Sequence, residues 1–113
     1  MHELSIALSI VDIAEDEVKK HHAATVEEIE LDIGVLSNIQ VDSLEFLWDH
    51  AVRSSVLEGA RRKINIIPGK ARCTVCCREF EMHEIFDACP DCHDFMNEIV
   101  EGKELKIKSL TLK

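Results

Sequence analysis

The chain is poor in the large aromatic side chains from which most hydrophobic cores are built. Its 113 residues include no tyrosine, one tryptophan and four phenylalanines, so aromatics make up 4%. The hydrophobic fraction of 46% is ordinary for a globular protein. A chain of this length and composition predicts one modest core, and therefore one domain or one domain with a small insert.

Positive charge is also scarce. The 22 acidic and 13 basic side chains give a net charge of −9. Phosphate backbones are bound by clustered Lys and Arg, so this balance argues against nucleic-acid binding. An acidic surface suits a basic protein partner or weak attraction of cations.

Long apolar runs are missing as well. No stretch approaches the ~20 apolar residues of a membrane span, and Met1-His2-Glu3 is not followed by the apolar core of an export signal. We therefore expect no membrane span and no export. With reduced cysteines, this predicts a cytoplasmic protein.

The strongest motif is a pair of Cys-x-x-Cys hooks. Cys73 and Cys76 form the first hook and Cys89 and Cys92 the second, with residues 77–88 between them. Four thiolates in a tetrahedral arrangement suit Zn²⁺, or iron in a rubredoxin-like setting. Disulfides in a secreted domain are the alternative, but the doubled spacing is typical of a metal site.

The first part of the chain predicts a helix over residues 3 to about 20, followed by a strand over Val26–Ile33. In the strand, apolar residues alternate with Glu and Asp, which indicates one buried face. The apolar positions of the helix predict a broad buried stripe: Leu4, Ile6, Leu8, Ile10, Val11, Ile13 and Val18.

A second helix is predicted to begin at Asp42. Asp42 and Glu45 have the spacing of a capping box, with Asp42 as N-cap. The helix would run to about Glu58 and end at Gly59 as its C-cap. Its expected buried residues are Leu44, Leu47, Trp48 and Ala51, with Val52 and Ser55 as further candidates.

The remaining pattern predicts a strand over Arg62–Ile67, with Ile64 and Ile66 on one face, and a last strand from Leu105 to Leu112 with a bulge near Ser109. The fold class is α+β: two helices packed on a small three- or four-stranded sheet, with an inserted four-cysteine, zinc-ribbon-like hairpin. The expected domains are 1–69, completed by a strand at 103–113, and a metal-binding insert at 70–102.

Met1-His2-Glu3 offers a second set of metal ligands. The Met1 amine, the His2 amide and the His2 imidazole can chelate one ion in a plane, with the Glu3 amide or a side chain completing the set. Ni²⁺ and Cu²⁺ prefer such planar nitrogen ligands. From chemistry alone, two polar residues after a start methionine are the favoured explanation of the motif.

The motifs together resemble the HypA/HybF family of hydrogenase nickel-incorporation proteins, and the resemblance covers the whole chain. It is carried by Met1-His2-Glu3-Leu4-Ser5, Asp32-Ile33-Gly34 with Leu36-Ser37, Glu58-Gly59 and Cys89-Pro90-Asp91-Cys92.

This resemblance implies a nickel metallochaperone, not an enzyme. It implies that His2, the Met1 amine and the Glu3 backbone amide bind Ni²⁺, and that domain 1–69 is the nickel-binding domain. The four hook cysteines would hold structural Zn²⁺. The implied partners are a nickel-handling GTPase and the [NiFe]-hydrogenase large subunit, and some members serve urease. Exchange of the returning strand would allow a homodimer.

Two positions depart from the family pattern, and one ligand stays open. Many members have Gly after each hook, where this chain has Cys77 and His93; ligand exchange between Cys76 and Cys77 is conceivable, with Cys76 favoured. The candidates for a fourth nickel ligand are Asp42, Gln40, His50 and His83. His21-His22 fits a solvated helix end better than a metal site.

Two rival functions use the same hooks. A rubredoxin-like electron carrier would place iron in the four thiolates, and a zinc-ribbon adaptor would have no nickel role. Neither gives Met1-His2-Glu3 a task. The sequence shows no nucleophile–base pairing or phosphate loop, so an enzyme has little support.

Overall fold

The computed structural model describes residues 3–113. Within this range the chain forms two helices and six strands: α1 Glu3–Lys20, β1 Val26–Gly34, α2 Val41–Ala51, β2 Arg61–Ile67, β3 Lys70–Cys73, β4 Glu79–Glu81, β5 Asn97–Glu101 and β6 Leu105–Leu112. The predicted α+β class with two helices is confirmed, and the strands form two three-stranded sheets.

The first sheet has the strand order β2-β1-β6. Side-chain bonds join Arg61 to Glu28 and Asn65 to Asp32 with the same offset of 33 residues, so β1 and β2 run parallel. Lys113 and Thr25 exchange backbone hydrogen bonds, so β6 runs antiparallel to β1. The helix α2 connects the two parallel strands, as such a pair requires.

Strand β1 has the predicted alternation. Ile29, Leu31 and Ile33 are buried, whereas Glu28 and Glu30 form ion pairs with basic residues, Glu28 with Arg61 and Glu30 with Lys63 and Lys108. The apolar face therefore lies in the core and the acidic face forms a charged ladder.

The second sheet has the order β4-β3-β5, and both pairings are antiparallel. In this sheet Cys73, at the end of β3, lies opposite Asn97, at the start of β5. The sequence predicted only a metal hairpin and an unpatterned stretch here, so β5 was missed. In β5 only Asn97 and Ile99 are half-buried, too weak an alternation to read as a strand.

Packing divides the chain into two compact units. Unit 1 comprises the chain up to Leu31, Ile39–Ile64 and Ile107–Lys113; unit 2 comprises Asp32–Asn38 and Asn65–Lys106. The domains proposed from the sequence, 1–69 with 103–113 and 70–102, have boundaries between strands. The unit boundaries instead fall inside β1, β2 and β6.

The buried face of α1 differs from the predicted stripe. The buried residues are Ala7, Ile10, Ala14 and Val18, and Leu4, Leu8 and Ile13 are between 42% and 49% exposed. Ala7 and Ala14 are fully buried, so the helix packs along a line of small side chains. The prediction is confirmed at Ile10 and Val18. It was wrong at Leu4, Leu8 and Ile13, because the predicted stripe followed the large apolar residues and left out the two alanines.

The N-terminus of α2 was also predicted wrongly. The helix begins at Val41 with Gln40 as N-cap, and no side chain caps it. Asp42 lies in the first turn, and Glu45 lies 4.0 Å from Arg62 instead of closing a capping box. The N–H of Gln40 donates to Glu3 Oε2 at 3.4 Å.

The C-terminus of α2 lies at Ala51, seven residues before the predicted end, with Val52 as C-cap. Turns follow in which Ser55 Oγ donates to the Val52 carbonyl and accepts from the Leu57 N–H. A serine hydroxyl that binds nearby backbone competes with helix formation. Gly59, with a φ of 85°, therefore lies in this turn region and is not the helix C-cap. The packing of the second helix is confirmed for Leu44, Trp48 and Val52, which are buried.

The strand β2 is confirmed, and Ile64 and Ile66 share one of its faces as predicted. Ile64 is half-buried there, whereas Ile66 is 52% exposed. In β6 the half-buried residues are Ile107, Leu110 and Leu112, so the spacing changes within the strand near Ser109.

Three glycines pack backbone against backbone in unit 2. A Cβ on Gly34 would overlap the carbonyl group of Gly102, and one on Gly69 would overlap the carbonyl oxygen of Met82. The Gly34 N–H also donates to the Glu104 carbonyl at 2.7 Å. In both cases the nearest obstructing atom belongs to the backbone, which cannot move aside as a flexible side chain can. Only glycine, which has no Cβ, therefore fits at these two positions.

We predict that Gly34→Ala lowers the free energy of unfolding by about 3 kcal/mol, since the backbone must move to admit a methyl group. Urea unfolding measures this change. Gly59→Ala is the matched control: its Cβ would meet nothing within 4 Å, and only its φ of 85° opposes it. If Gly34→Ala lowered the free energy of unfolding no more than Gly59→Ala does, the close backbone packing around Gly34 would be contradicted.

Candidate metal centre

The first hook is shaped by the strands on either side of it. Cys73 ends β3 and its N–H donates to the Arg78 carbonyl at 2.9 Å, while the Cys77 N–H donates back to the Cys73 carbonyl at 2.9 Å. Inside this turn the N–H groups of Val75 and Cys76 point at Cys73 Sγ, at 3.4 and 3.5 Å. Backbone donors aimed at a sulfur stabilise its thiolate form.

The second hook repeats the same turn without flanking strands. The His93 N–H donates to the Cys89 carbonyl, and the Cys89 N–H donates to the Asp94 carbonyl, both at 2.9 Å. In both hooks the closing residue has a left-handed backbone: φ is 64° at Cys77 and 59° at His93. Glycine adopts this conformation most easily, so Cys77 and His93 are held there by the turn.

The four hook sulfurs converge. The Sγ atoms of Cys73, Cys76, Cys89 and Cys92 all lie within 4.8 Å of one another. Cys73 Sγ lies 3.3 Å from Cys92 Sγ, and Cys76 Sγ lies 3.6 Å from Cys89 Sγ. Zinc held tetrahedrally at about 2.3 Å from each sulfur implies sulfur–sulfur separations of about 3.8 Å. The donor set therefore fits one tetrahedral ion.

The same distances exclude disulfides among these residues. A disulfide requires sulfurs about 2.05 Å apart, and all five cysteines are free thiols. Cys77 is exposed and lies outside the cluster. Cys73 and Cys89 are buried while Cys76 and Cys92 are exposed, so the site is closed on one side and open on the other.

The four thiols cannot ionise independently. The Cys76 N–H lowers the pKa of the Cys73 thiol to about 7. At Cys92 the Asp94 N–H lowers the pKa, but the Cys73 thiol and burial outweigh it and raise the pKa to about 12. At Cys76 the Arg78 N–H lowers the pKa, yet burial and the Cys89 thiol raise it overall. A cation would allow all four to deprotonate.

The apolar core around the sulfurs is small. It consists of two of the cysteines, Cys73 and Cys89, with Leu36, Ala71, Phe80 and Met82, and Ile99 packs against it. An ion pair between Arg78 and Asp91 at 2.8 Å joins the two hooks at the surface. With so little apolar burial, cross-linking by a metal is an effective way to stabilise this unit.

The other ligand candidates lie in different places. Met1 and His2 lie outside the described residues. Glu3 begins α1, and its side chain lines one groove with Asp42, Ser43, Phe46 and Leu47, beside Gln40, whose N–H it accepts. The structure therefore brings Glu3, Asp42 and Gln40 together in unit 1.

The remaining histidines are surface residues. His50 is exposed and lies two turns beyond Asp42 along α2. His83 is in unit 2, 3.8 Å from Glu81. His21 lies 3.4 Å from Glu17 at the end of α1, where His22 has a φ of 54°. Within residues 3–113, the four hook cysteines form the only group of metal-ligating side chains.

Sequence reasoning missed Asn97, which hydrogen-bonds the backbone on both sides of the second hook. An asparagine five residues after Cys92 carries no motif, and only the folded structure shows what it contacts.

We predict that metal uptake by the hooks releases at least two protons per ion at pH 7. Cys76 and Cys92 hold their protons there because their pKa values are raised, and the bound ion requires thiolates. Calorimetry in buffers of different ionisation enthalpy counts the protons. Release of fewer than two would contradict the assignment of these thiols as ligands. The apparent affinity should fall as pH falls, since protons compete with the ion.

Fold and site define a small α+β protein with a four-cysteine metal module of the zinc-ribbon type. In the part of the chain that the structure describes, no helix is long and apolar enough to cross a membrane.

The chain belongs to the HypA family: the family model described as "Hydrogenase/urease nickel incorporation, metallochaperone, hypA" matches residues 1–112. It is accordingly a nickel metallochaperone of hydrogenase maturation that carries a four-cysteine metal site. The resemblance inferred from the motifs is confirmed.

Relatives match over nearly their whole length. The chain is 43% identical over 113 residues to the hydrogenase maturation factor HypA of Parabacteroides distasonis, covering 100% of this chain and 98% of that protein. It is 36% identical over 110 residues to the hydrogenase maturation factor HybF of Klebsiella pneumoniae, with 97% of each covered.

The fold also matches a solved structure. The solution structure of the Ni metallochaperone HypA from Helicobacter pylori aligns with a TM-score of 0.71 and 24% identity, covering 99% of this chain and 97% of that one. At this identity the match shows the fold alone.

Proposed function

We propose that the chain binds Ni²⁺ through Met1, His2 and Glu3, holds structural Zn²⁺ in its four hook cysteines, and delivers nickel during maturation of [NiFe]-hydrogenase. The observation that carries the proposal is the tetrahedral spacing of the four sulfurs in a chain that matches the nickel-incorporation family from its first residue. Its role is to carry a metal and not to catalyse a reaction.

Ligand chemistry assigns a different metal to each site. The hooks offer four soft thiolates in a tetrahedral arrangement, which zinc prefers. The N-terminal segment offers the Met1 amine, the His2 amide and imidazole and the Glu3 amide, and planar nitrogen ligands suit Ni²⁺. The Glu3 and Asp42 carboxylates share one groove, which favours Asp42 over His50 and His83 as a further ligand.

The N-terminal ligands also make release possible. An imidazole with a reference pKa near 6.5 and an α-amine near 7.7–8.0 must both lose protons to bind. Mild acid therefore competes with nickel at this site.

We predict one bound Ni²⁺ in untagged wild-type protein, lost in His2→Ala. Its affinity should fall by at least roughly 100-fold from pH 7.5 to pH 6, since the imidazole and the amine alone give that loss and amide ligands must lose protons as well. Native mass spectrometry at both pH values counts the ions. His50→Ala removes an exposed imidazole elsewhere and is the control. Equal nickel binding by wild type and His2→Ala, or a flat affinity over this pH range, would contradict the proposed nickel site.

We predict that the purified protein is colourless and carries one Zn²⁺, which Cys92→Ser loses because only three thiolates remain. Metal analysis and absorption spectra measure this. Cys77→Ser removes an exposed cysteine outside the cluster and should keep the ion. A red protein with iron in the hooks would instead support the rubredoxin-like electron carrier. Loss of zinc in Cys77→Ser would show that Cys77 is one of the ligands.

The proposed partners are a nickel-handling GTPase and the [NiFe]-hydrogenase large subunit. Three exposed phenylalanines support protein contacts: Phe46 and Phe86 are each 86% exposed and Phe95 is 72% exposed. The net charge of −9 supports protein partners over nucleic acid. Urease maturation is the second candidate role, since the family description includes it.

A homodimer and a cytoplasmic location belong to the same proposal. β6 lies at the edge of its sheet, so exchange of this returning strand between two copies would form the dimer. Free thiols at the metal site suit a reducing compartment.

A further inference from the structure

The two hooks are attached to the fold in different ways. The first hook connects β3 directly to β4, so strand pairing fixes both of its ends. The second hook, Cys89–Cys92, lies in a stretch between β4 and β5 that has no strand of its own. Its ion pair to the first hook joins Arg78 and Asp91, which are 52% and 53% exposed, and exposed pairs contribute little. Cys89 packs in the small core of unit 2, but Cys92 is exposed, so core packing holds only one end of this hook.

Asn97 supplies that attachment. Its Nδ2 donates to the Asp87 carbonyl at 3.0 Å and to the Asp94 carbonyl at 3.3 Å. These carbonyls lie two residues before Cys89 and two residues after Cys92, so one amide group ties both ends of the hook together. The Asp94 carbonyl also accepts the Cys89 N–H at 2.9 Å, which links the clamp to the ligand itself.

Asn97 is itself fixed to the other half of the site. It begins β5, and its Cα partner across the β3–β5 pairing is Cys73. A ligand of the first hook and the clamp of the second hook therefore lie side by side on adjacent strands. This register sets the distance between the two halves of the donor set.

The chemistry of the contact requires an amide. Two carbonyl oxygens accept from one nitrogen, so an oxygen at this position would face two acceptors and repel both. The Oδ1 atom is buried and has no hydrogen-bond partner within residues 3–113. Burying an acceptor without a partner is unfavourable, so the two bonds from Nδ2 must offset that cost.

We propose that Asn97 is a positioning residue of the metal centre, which clamps the second hook against β5 and so slows release of the ion from Cys89 and Cys92. The proposal rests on the proposed four-cysteine metal site. It assigns control of metal residence time to a side chain that does not contact the ion.

The test compares zinc transfer from the full-length protein to a chromogenic chelator. Asn97→Asp keeps the shape but removes both donors, and Asn97→Ala removes them without adding charge. Both should release zinc at least tenfold faster than wild type. Asn38→Asp, an exposed change with the same charge in unit 2, is the control and should match wild type. Arg78→Ala should change the rate less than threefold because its ion pair is exposed.

A second readout separates positioning from general folding. The ¹¹³Cd-substituted proteins report their thiolate number by NMR, and the Asn97 variants should show a changed cadmium shift. Trp48, the one tryptophan, is buried in unit 1, so its fluorescence should stay unchanged.

Release rates within twofold of wild type, with an unchanged cadmium shift, would overturn the role of Asn97. Altered Trp48 fluorescence in both variants would overturn it too, in favour of a general role in folding. Wild-type protein that binds neither zinc nor cadmium would instead overturn the metal site itself.

Discussion

Four sulfur atoms that must share one cation are the constraint on which unit 2 depends. Its apolar core has few large side chains, and two of its members, Cys73 and Cys89, are hook cysteines. Without a cation the thiols compete for protons, with one pKa lowered to about 7 and another raised to about 12. A structural zinc contributes roughly 10–16 kcal/mol in small modules, so a cation here would add substantially to the stability of this small core.

The fold meets this constraint with two copies of one backbone turn. Each hook ends at a residue in the left-handed conformation, Cys77 or His93. In each hook the N–H of that residue donates to the carbonyl of the first cysteine. The first turn is held by strands and the second by a side-chain amide. Both arrangements bring the sulfurs to within 4.8 Å of one another, as one tetrahedral ion requires.

The N-terminal ligands proposed for nickel meet a different requirement, since a carrier must bind its metal and also release it. Glu3 begins a helix whose buried face is built on Ala7 and Ala14, and its carboxylate meets the start of α2 at Gln40. The nickel ligands proposed at Met1 and His2 thus precede a firmly packed helix. Nitrogen ligands that titrate near neutrality favour release of a metal, whereas four thiolates would hold zinc more tightly.

Much of this was predictable from the sequence, and the failures have physical causes. Cysteine spacing and the alternation of Val26–Ile33 are local patterns, so the hooks and β1 were predicted correctly. The buried face of α1 depended on how closely helices approach, which no periodicity reports. The end of α2 depended on the hydroxyl of Ser55, which binds backbone groups. Asn97 acts only through contacts formed in the folded chain.

We propose that ligand chemistry separates the two metals, with zinc on sulfur in the hooks and nickel on nitrogen and oxygen at the N-terminus. X-ray absorption at the zinc and nickel edges of one doubly loaded sample distinguishes these ligand sets. We expect four sulfurs at about 2.3 Å around zinc and no sulfur around nickel. Sulfur in the nickel shell, or fewer than four sulfurs around zinc, would contradict it.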